Sequence, residues 1–153
     1  MDLFNDTRGT TGGIRVGIGG WTYAPWRDNF YPKGLVQRRE LEYASRHVGA
    51  IEINGTYYGA QKPATYAKWR DEVPDGFVFS AKAPMRIMQS RQLARTGPQV
   101  EDFVGGSAEL GAELGPIVWQ GDAGRRLDRD AFATFCALLP AQAGGRPLRH
   151  VLD

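Results

Sequence analysis

Cysteine is almost missing from this chain: Cys136 is the only one in 153 residues. One thiol excludes an intrachain disulfide and suits a reducing compartment, so a cytoplasmic protein is expected. Histidine is equally scarce. His47 and His150 lie far apart, no zinc or iron–sulfur site with ordinary ligand spacing can be drawn, and no metal is expected. Nothing approaches the roughly 20 consecutive apolar residues that a bilayer crossing needs, so a membrane is not an expected partner. The opening MDLFNDTRGTTGG has no basic stretch followed by an apolar one, which argues against a secretory signal. Residues 1–13 read as a flexible lead-in. Neither sign of charge is in excess: the formal net charge is +2, which gives no case for a general nucleic-acid binder. The pairs Arg38-Arg39 and Arg125-Arg126 are too short to make a basic patch and read as solvated surface.

Glycine and aromatic residues are plentiful, and they meet in GIGGWTYAPWRDNFYP, Gly17 to Pro32. Five short apolar runs punctuate the chain: IRVGI from Ile14, AIEIN from Ala50, FVFSAK from Phe77, PIVWQ from Pro116 and LRHVLD from Leu148. Helical spacing lies between them. Leu41, Ala44 and Val48 share a face before the stop at Gly49. Pro63 opens and Pro74 closes a helix with Tyr66, Trp69 and Val73 in a stripe. Val100, Phe103, Ser107, Leu110 and Leu114 predict one long helix, weakened at Gly105-Gly106. Asp128 caps a last helix in which Phe132, Phe135, Cys136 and Leu139 face inward, making Cys136 a small buried hydrophobe.

Alternating strands and helices are the signature of a parallel sheet with crossover connections. The strand starts fall roughly 34 residues apart, near the roughly 31 per unit of an eight-unit barrel of about 250 residues. The expected fold is α/β, with TIM-barrel-like (β/α) units truncated to about four plus the start of a fifth strand, over residues 14–153. The alternative is a five-stranded parallel α/β sheet. A half-barrel leaves open edges, so self-association or a complementing chain is an expected partner.

In parallel α/β folds chemistry gathers where strands end. The ends here supply Gly19, Gly20, Trp21 and Tyr23, then Glu52, Asn54, Thr56 and Tyr57, then Ser80 and Lys82, then Trp119 and Gln120. Alternation puts Glu52 and Asn54 on one side of their strand and Ile51 and Ile53 on the other. Two readings follow: Glu52 and Lys82 are an internal ion pair, or Glu52 handles protons while Lys82 holds an anionic group. GIGG lacks the third glycine of a dinucleotide fingerprint, so these glycines are read as a turn that makes room for Trp21. No motif names a cofactor.

VGIGGWTYAPWRDNFYP, the stretch from LEYASRHVGAIEINGTYYGAQKPATYAKWRDEVPDGFVFSAKAP, and LGAELGPIVWQ together resemble the N-terminal half of the DUF72 (YecE-like) proteins. The resemblance runs from about Ile14 to Gln120 and rests on G-W-x-Y-x-x-W, E-I-N-x-T-Y-Y, P-x-G-F-x-F-x-x-K and L-G-P-I-x-x-Q in order. It implies a TIM-type barrel and no particular activity. The chain departs from it at Gly121-Asp122-Ala123-Gly124, where relatives carry an apolar, proline-rich turn, and at Asp153, where they place a glutamate.

On this reading Trp21 and Tyr23 wall a pocket at the barrel mouth and are more accessible than Trp69, while Trp26, Phe30 and Tyr31 pin the loop to the outer helices. The leading expectation is a pocket that binds or acts on a polar or phosphorylated small molecule or a nucleic-acid fragment. Glu52 would be the acid/base, Lys82 would offset charge, and Asn54, Tyr57 and Gln120 would hold the ligand. The alternatives are single-stranded nucleic-acid binding without turnover and an inactive truncated gene product.

Overall fold

The Ile51/Ile53 spacing that marks AIEIN as a strand also decides which of its faces is buried. The computed structural model describes residues 13–124, 126 and 128–153; the lead-in up to residue 12 and Arg125 lie outside the described residues. Its strands are β1 (Gly17–Gly19), β2 (Ala50–Ile53), β3 (Val78–Lys82), β4 (Leu114–Trp119), β5 (Gln142–Ala143), β6 (Arg146–Pro147) and β7 (Arg149–Leu152). The helices are α1 (Glu40–Ala44), α2 (Gly55–Tyr58), α3 (Pro63–Glu72), α4 (Met85–Met88), α5 (Gly97–Ser107) and α6 (Arg129–Leu138). One five-stranded sheet runs in the order β1-β2-β3-β4-β7, every pairing parallel. The expected four βα units with a fifth strand, and the alternative of a five-stranded parallel sheet, thus describe the same open object.

The register puts Ile18, Ile51 and Phe79 side by side, and Ala81 beside Ile117. These residues face the helices. Ile51, Ile53 and Phe79 pack with Tyr66 of α3, with Leu41 and Ala44 of α1, and with Tyr31. Ala81, Ile117 and Trp119 pack with Val100, Phe103 and Val104 of α5 and Phe135 of α6. Burying a side chain of this size stabilises by roughly 1.5–3 kcal/mol, so the two clusters carry most of the cohesion. The opposite face holds Glu52, Ser80, Lys82 and Val118, all partly exposed. Among the described residues neither Val78 nor Val118 joins either core cluster. Among the described residues α1, α3, α5 and α6 cover one face, and only the short α2 reaches the other, at the strand ends, an arrangement closer to a barrel wall than to a doubly wound sheet.

Several local expectations need correction. β1 is only Gly17–Gly19, because Ile14 and Val16 find nothing to cover them and stand 91% and 61% exposed. The long helix through Leu114 stops at Ser107. A 3-10 turn follows over Ala108–Glu113, broken where Gly111 takes φ 61°, and Leu114 opens β4 instead. Cys136 is half-buried against the second cluster rather than fully enclosed. The ribbon of β5 and β6 was not expected. Its turn, Gly144-Gly145, has both residues at positive φ, as a tight antiparallel hairpin requires. The capped last helix is as read: Asp128 Oδ1 accepts from the Ala131 N–H at 2.8 Å.

Candidate functional site

Lys82 ends β3 on the face opposite the two core clusters, diagonal to Glu52, which pairs in register with Ser80. Its long stem leans back so that Nζ lies 3.2 Å from Glu52 Oε1, with 19% of the Lys82 and 33% of the Glu52 side chain exposed. The short helix α2 covers this pair. Thr56 is buried and donates its hydroxyl to the Lys82 carbonyl at 2.6 Å, a staple that swings Tyr57 across the lysine, 5.6 Å from Nζ to ring centroid. An ammonium at that distance from an aromatic face gains roughly 0.5–1 kcal/mol. A lysine has three donors and a carboxylate two acceptor oxygens. No further hydrogen bond joins either side chain to a described residue, so both keep capacity for a ligand.

The other residues read as a site are distributed around this pair. Asn54 follows β2 and starts α2 without capping it by its side chain. Its Nδ2 sits where a Cβ on Gly19 would come within 3.0 Å, so Gly19 makes room for Asn54, not for Trp21. Gln120 directly follows β4, and alternation from Val118, the register partner of Lys82, places it on the lysine's face. Glu52, Lys82, Tyr57, Asn54 and Gln120 thus share one end of the open face.

Trp21 does not join them. Gly20 takes φ +70° while its N–H bonds the Glu52 carbonyl at 2.8 Å, and this turn sends Trp21 to the helix side. There it meets Trp69 edge-to-face at 5.2 Å and Phe79 at 6.4 Å. Trp21 and Trp69 are both half-buried. Tyr23 is 54% exposed and rests on Trp26. Phe30 and Tyr31 pack on Tyr43 of α1 and pin the loop as expected.

The loop has an anchor that the sequence did not single out. Glu40 is wholly buried and receives Arg27 Nε at 2.8 Å. Tyr31, at 1% exposure, donates its hydroxyl to the Trp21 carbonyl. Burial first, and the Glu40 carboxylate second, push the Tyr31 hydroxyl up to about 12, with Arg27 pulling the other way. Nothing in RRELEY separates Glu40 from the exposed-face Glu42, which pairs with Arg39.

Two cavities flank the strand ends. One of about 400 Å³ lies between the ends of β1 and β2 and helix α3, with Trp21, Asn54, Gln61 and Trp69 in its wall. A larger one of about 440 Å³ lies at the ends of β4 and β7, floored by Met88, Trp119 and Phe132 and rimmed by Arg91, Asp122 and Asp153. It shares no lining residue with the Glu52–Lys82 group. Among the described residues no three His, Cys, Asp or Glu side chains are grouped to hold a metal ion, and no helix is long and apolar enough to cross a membrane.

The profile of the family described as protein of unknown function DUF72 matches residues 15–151. The chain belongs to the DUF72 family. The UPF0759 protein YunF of Bacillus subtilis (strain 168) is 30% identical over 70 residues, a stretch covering 46% of this chain and 24% of YunF. A crystal structure of a DUF72 family protein from Thermotoga maritima MSB8 superposes with a TM-score of 0.72 at 18% identity, covering 90% of this chain and 55% of that one. A DUF72 family protein from Enterococcus faecalis V583 gives 0.69 at 19% identity, covering 92% and 50%. The likeness to these two structures is one of fold. This DUF72 chain spans about half the length of the solved relatives, and its match to YunF spans about a quarter of that protein.

Proposed function

We propose that the open face at the strand ends binds a small polar ligand carrying an anionic group, phosphate or carboxylate, and a proton-bearing group beside it. The observation that supports this is the Lys82–Glu52 pair, 3.2 Å apart and still partly exposed. Its charges cancel, so a simple anion must compete with Glu52 for the lysine. A ligand with an anion for Lys82 and a hydroxyl or amine for Glu52 replaces both halves of the contact at once. Tyr57 covers one side of such a ligand, while Asn54 and Gln120 orient it. In a turnover reading Glu52 moves the proton. The rest of the wall would come from strands laid against β1 and β7, in the same chain or another, since the solved relatives are about twice as long. The lone Cys136 fits a reducing, cytoplasmic setting.

Glycerol phosphate is a suitable probe. Lys82→Met is expected to abolish its binding, and Glu52→Gln to weaken binding while leaving the denaturant midpoint nearly unchanged. A fall of about 3–5 kcal/mol in Glu52→Gln would instead make the pair a structural element of the core. Single-stranded nucleic acid is a second reading, favoured by the exposed rings of Tyr23, at 54%, and of Tyr58, at 76%, the latter edge-to-face on the Tyr57 ring that lies near the lysine. It predicts that an oligonucleotide binds more tightly than glycerol phosphate, with a steep loss between low and moderate salt.

A further inference from the structure

The cavity between β1, β2 and α3 differs in character from the charged pair. Its wall contains Trp21, Thr22, Ile53, Asn54, Gln61 and Trp69, together with glycine backbone, and no ionisable side chain. The two indoles meet at an interplanar angle of 80°, which makes an aromatic corner. Trp69 is braced from behind by Tyr66, edge-to-face at 5.5 Å, and Tyr66 is itself 1% exposed. Trp21 is fixed through its backbone by the Tyr31 hydroxyl on its carbonyl and by the adjoining Gly20 turn. The corner is therefore held in place before any ligand arrives, which lowers the ordering cost of binding.

The polar groups around the corner are unspent. The Asn54 side chain makes no cap bond. Among the described residues the Gln61 amide makes one bond, a 3.5 Å reach to the Gly59 carbonyl. Neither indole N–H is bonded to a described residue. Amides and hydroxyls both donate and accept, and a cavity of about 400 Å³ falls within the range of small-molecule sites, roughly 300–1,000 Å³.

We propose that this corner is a subsite for an uncharged sugar ring. One C–H face of a pyranose would stack on an indole, and its hydroxyls, which also both donate and accept, would engage Asn54, Gln61 and Thr22. A wall without positive charge gives a phosphate or carboxylate nothing to offset its loss of water. This subsite needs neither Lys82 nor Glu52 and shares only Asn54 with the anion reading above.

Saturation-transfer NMR on the 153-residue chain tests it, because the signal is read on the ligand and tolerates self-association of the protein. The probes are the methyl pyranosides of glucose, galactose and mannose, with adenine as the flat heterocyclic comparison. At least one pyranoside should receive saturation on one ring face, with affinity on the order of millimolar. The signal should drop at least tenfold in Trp69→Ala and in Gln61→Ala, and persist in Trp26→Phe, which lies outside the wall. Gln61→Ala removes only a half-buried amide and keeps the test open if Trp69→Ala does not fold. Absence of transfer to every pyranoside overturns the proposal, as does transfer that survives in Gln61→Ala. Saturation of adenine without any pyranoside reassigns the corner to a base and also overturns it.

Discussion

Tyr31 carries two duties, since its ring sits between Phe30 and Tyr43 and its hydroxyl fixes the Trp21 carbonyl. Its folded hydroxyl holds the proton to about 12, whereas an unfolded tyrosine releases it near 10. Between these values only the unfolded chain is ionised there. Stability from this residue is therefore complete below about pH 10 and falls as the pH rises toward 12. Tyr66 is raised as well, by burial and then by Asp102, and works in the same direction. The denaturant midpoint should drop across that interval, and Tyr31→Phe should show a shallower drop. A midpoint flat to pH 12 would mean that the Tyr31 hydroxyl reaches water.

Elements were legible where one face alone is buried. β2 and β3 alternate because Ile51, Ile53, Phe79 and Ala81 meet helices while Glu52, Ser80 and Lys82 do not. That same alternation puts Glu52 and Asn54 on one side of β2, while the strand ends make Glu52 and Lys82 candidates for an ion pair. It does not extend to Trp21, because a residue that follows a left-handed Gly20 no longer inherits the strand's parity. Trp69 and Gln61 enter the cavity wall through the placement of α3 and the link before it, which periodicity along one element does not encode. The break of α5 into a 3-10 turn follows from Gly111, whose conformation a helical spacing rule cannot see. At the junction of β3 and β4 the register shifts between Phe79 and Ala81, and Gly115 is the residue that permits it. A Cβ there would lie 2.5 Å from Val78 Cγ1 and 2.7 Å from the Phe79 carbonyl oxygen. Gly115→Ala should therefore destabilise by about 1–3 kcal/mol, measured by urea unfolding. An unchanged midpoint would show that the two strands can part without loss.

At the scale of the whole fold, β1 and β7 each lack a second neighbour in the sheet among the described residues, and Val151 and Leu152 are 43% and 47% exposed. Unpaired N–H and C=O groups beside exposed apolar side chains invite association. Light scattering on the purified chain should find dimers or larger species, and a monodisperse monomer with a sharp cooperative melt would show that the bare face is tolerated in water. The His150 ring ties the last strand inward: Nδ1 accepts from the Trp119 indole at 3.0 Å and Nε2 reaches the Pro140 carbonyl at 2.8 Å. The strand order has one more consequence, in the time domain. Local opening starts where backbone pairing is one-sided, so amide deuterium would leave β1 and β7 first and move inward through β2 and β4. The last label to fade would sit in β3, the central strand that carries Lys82.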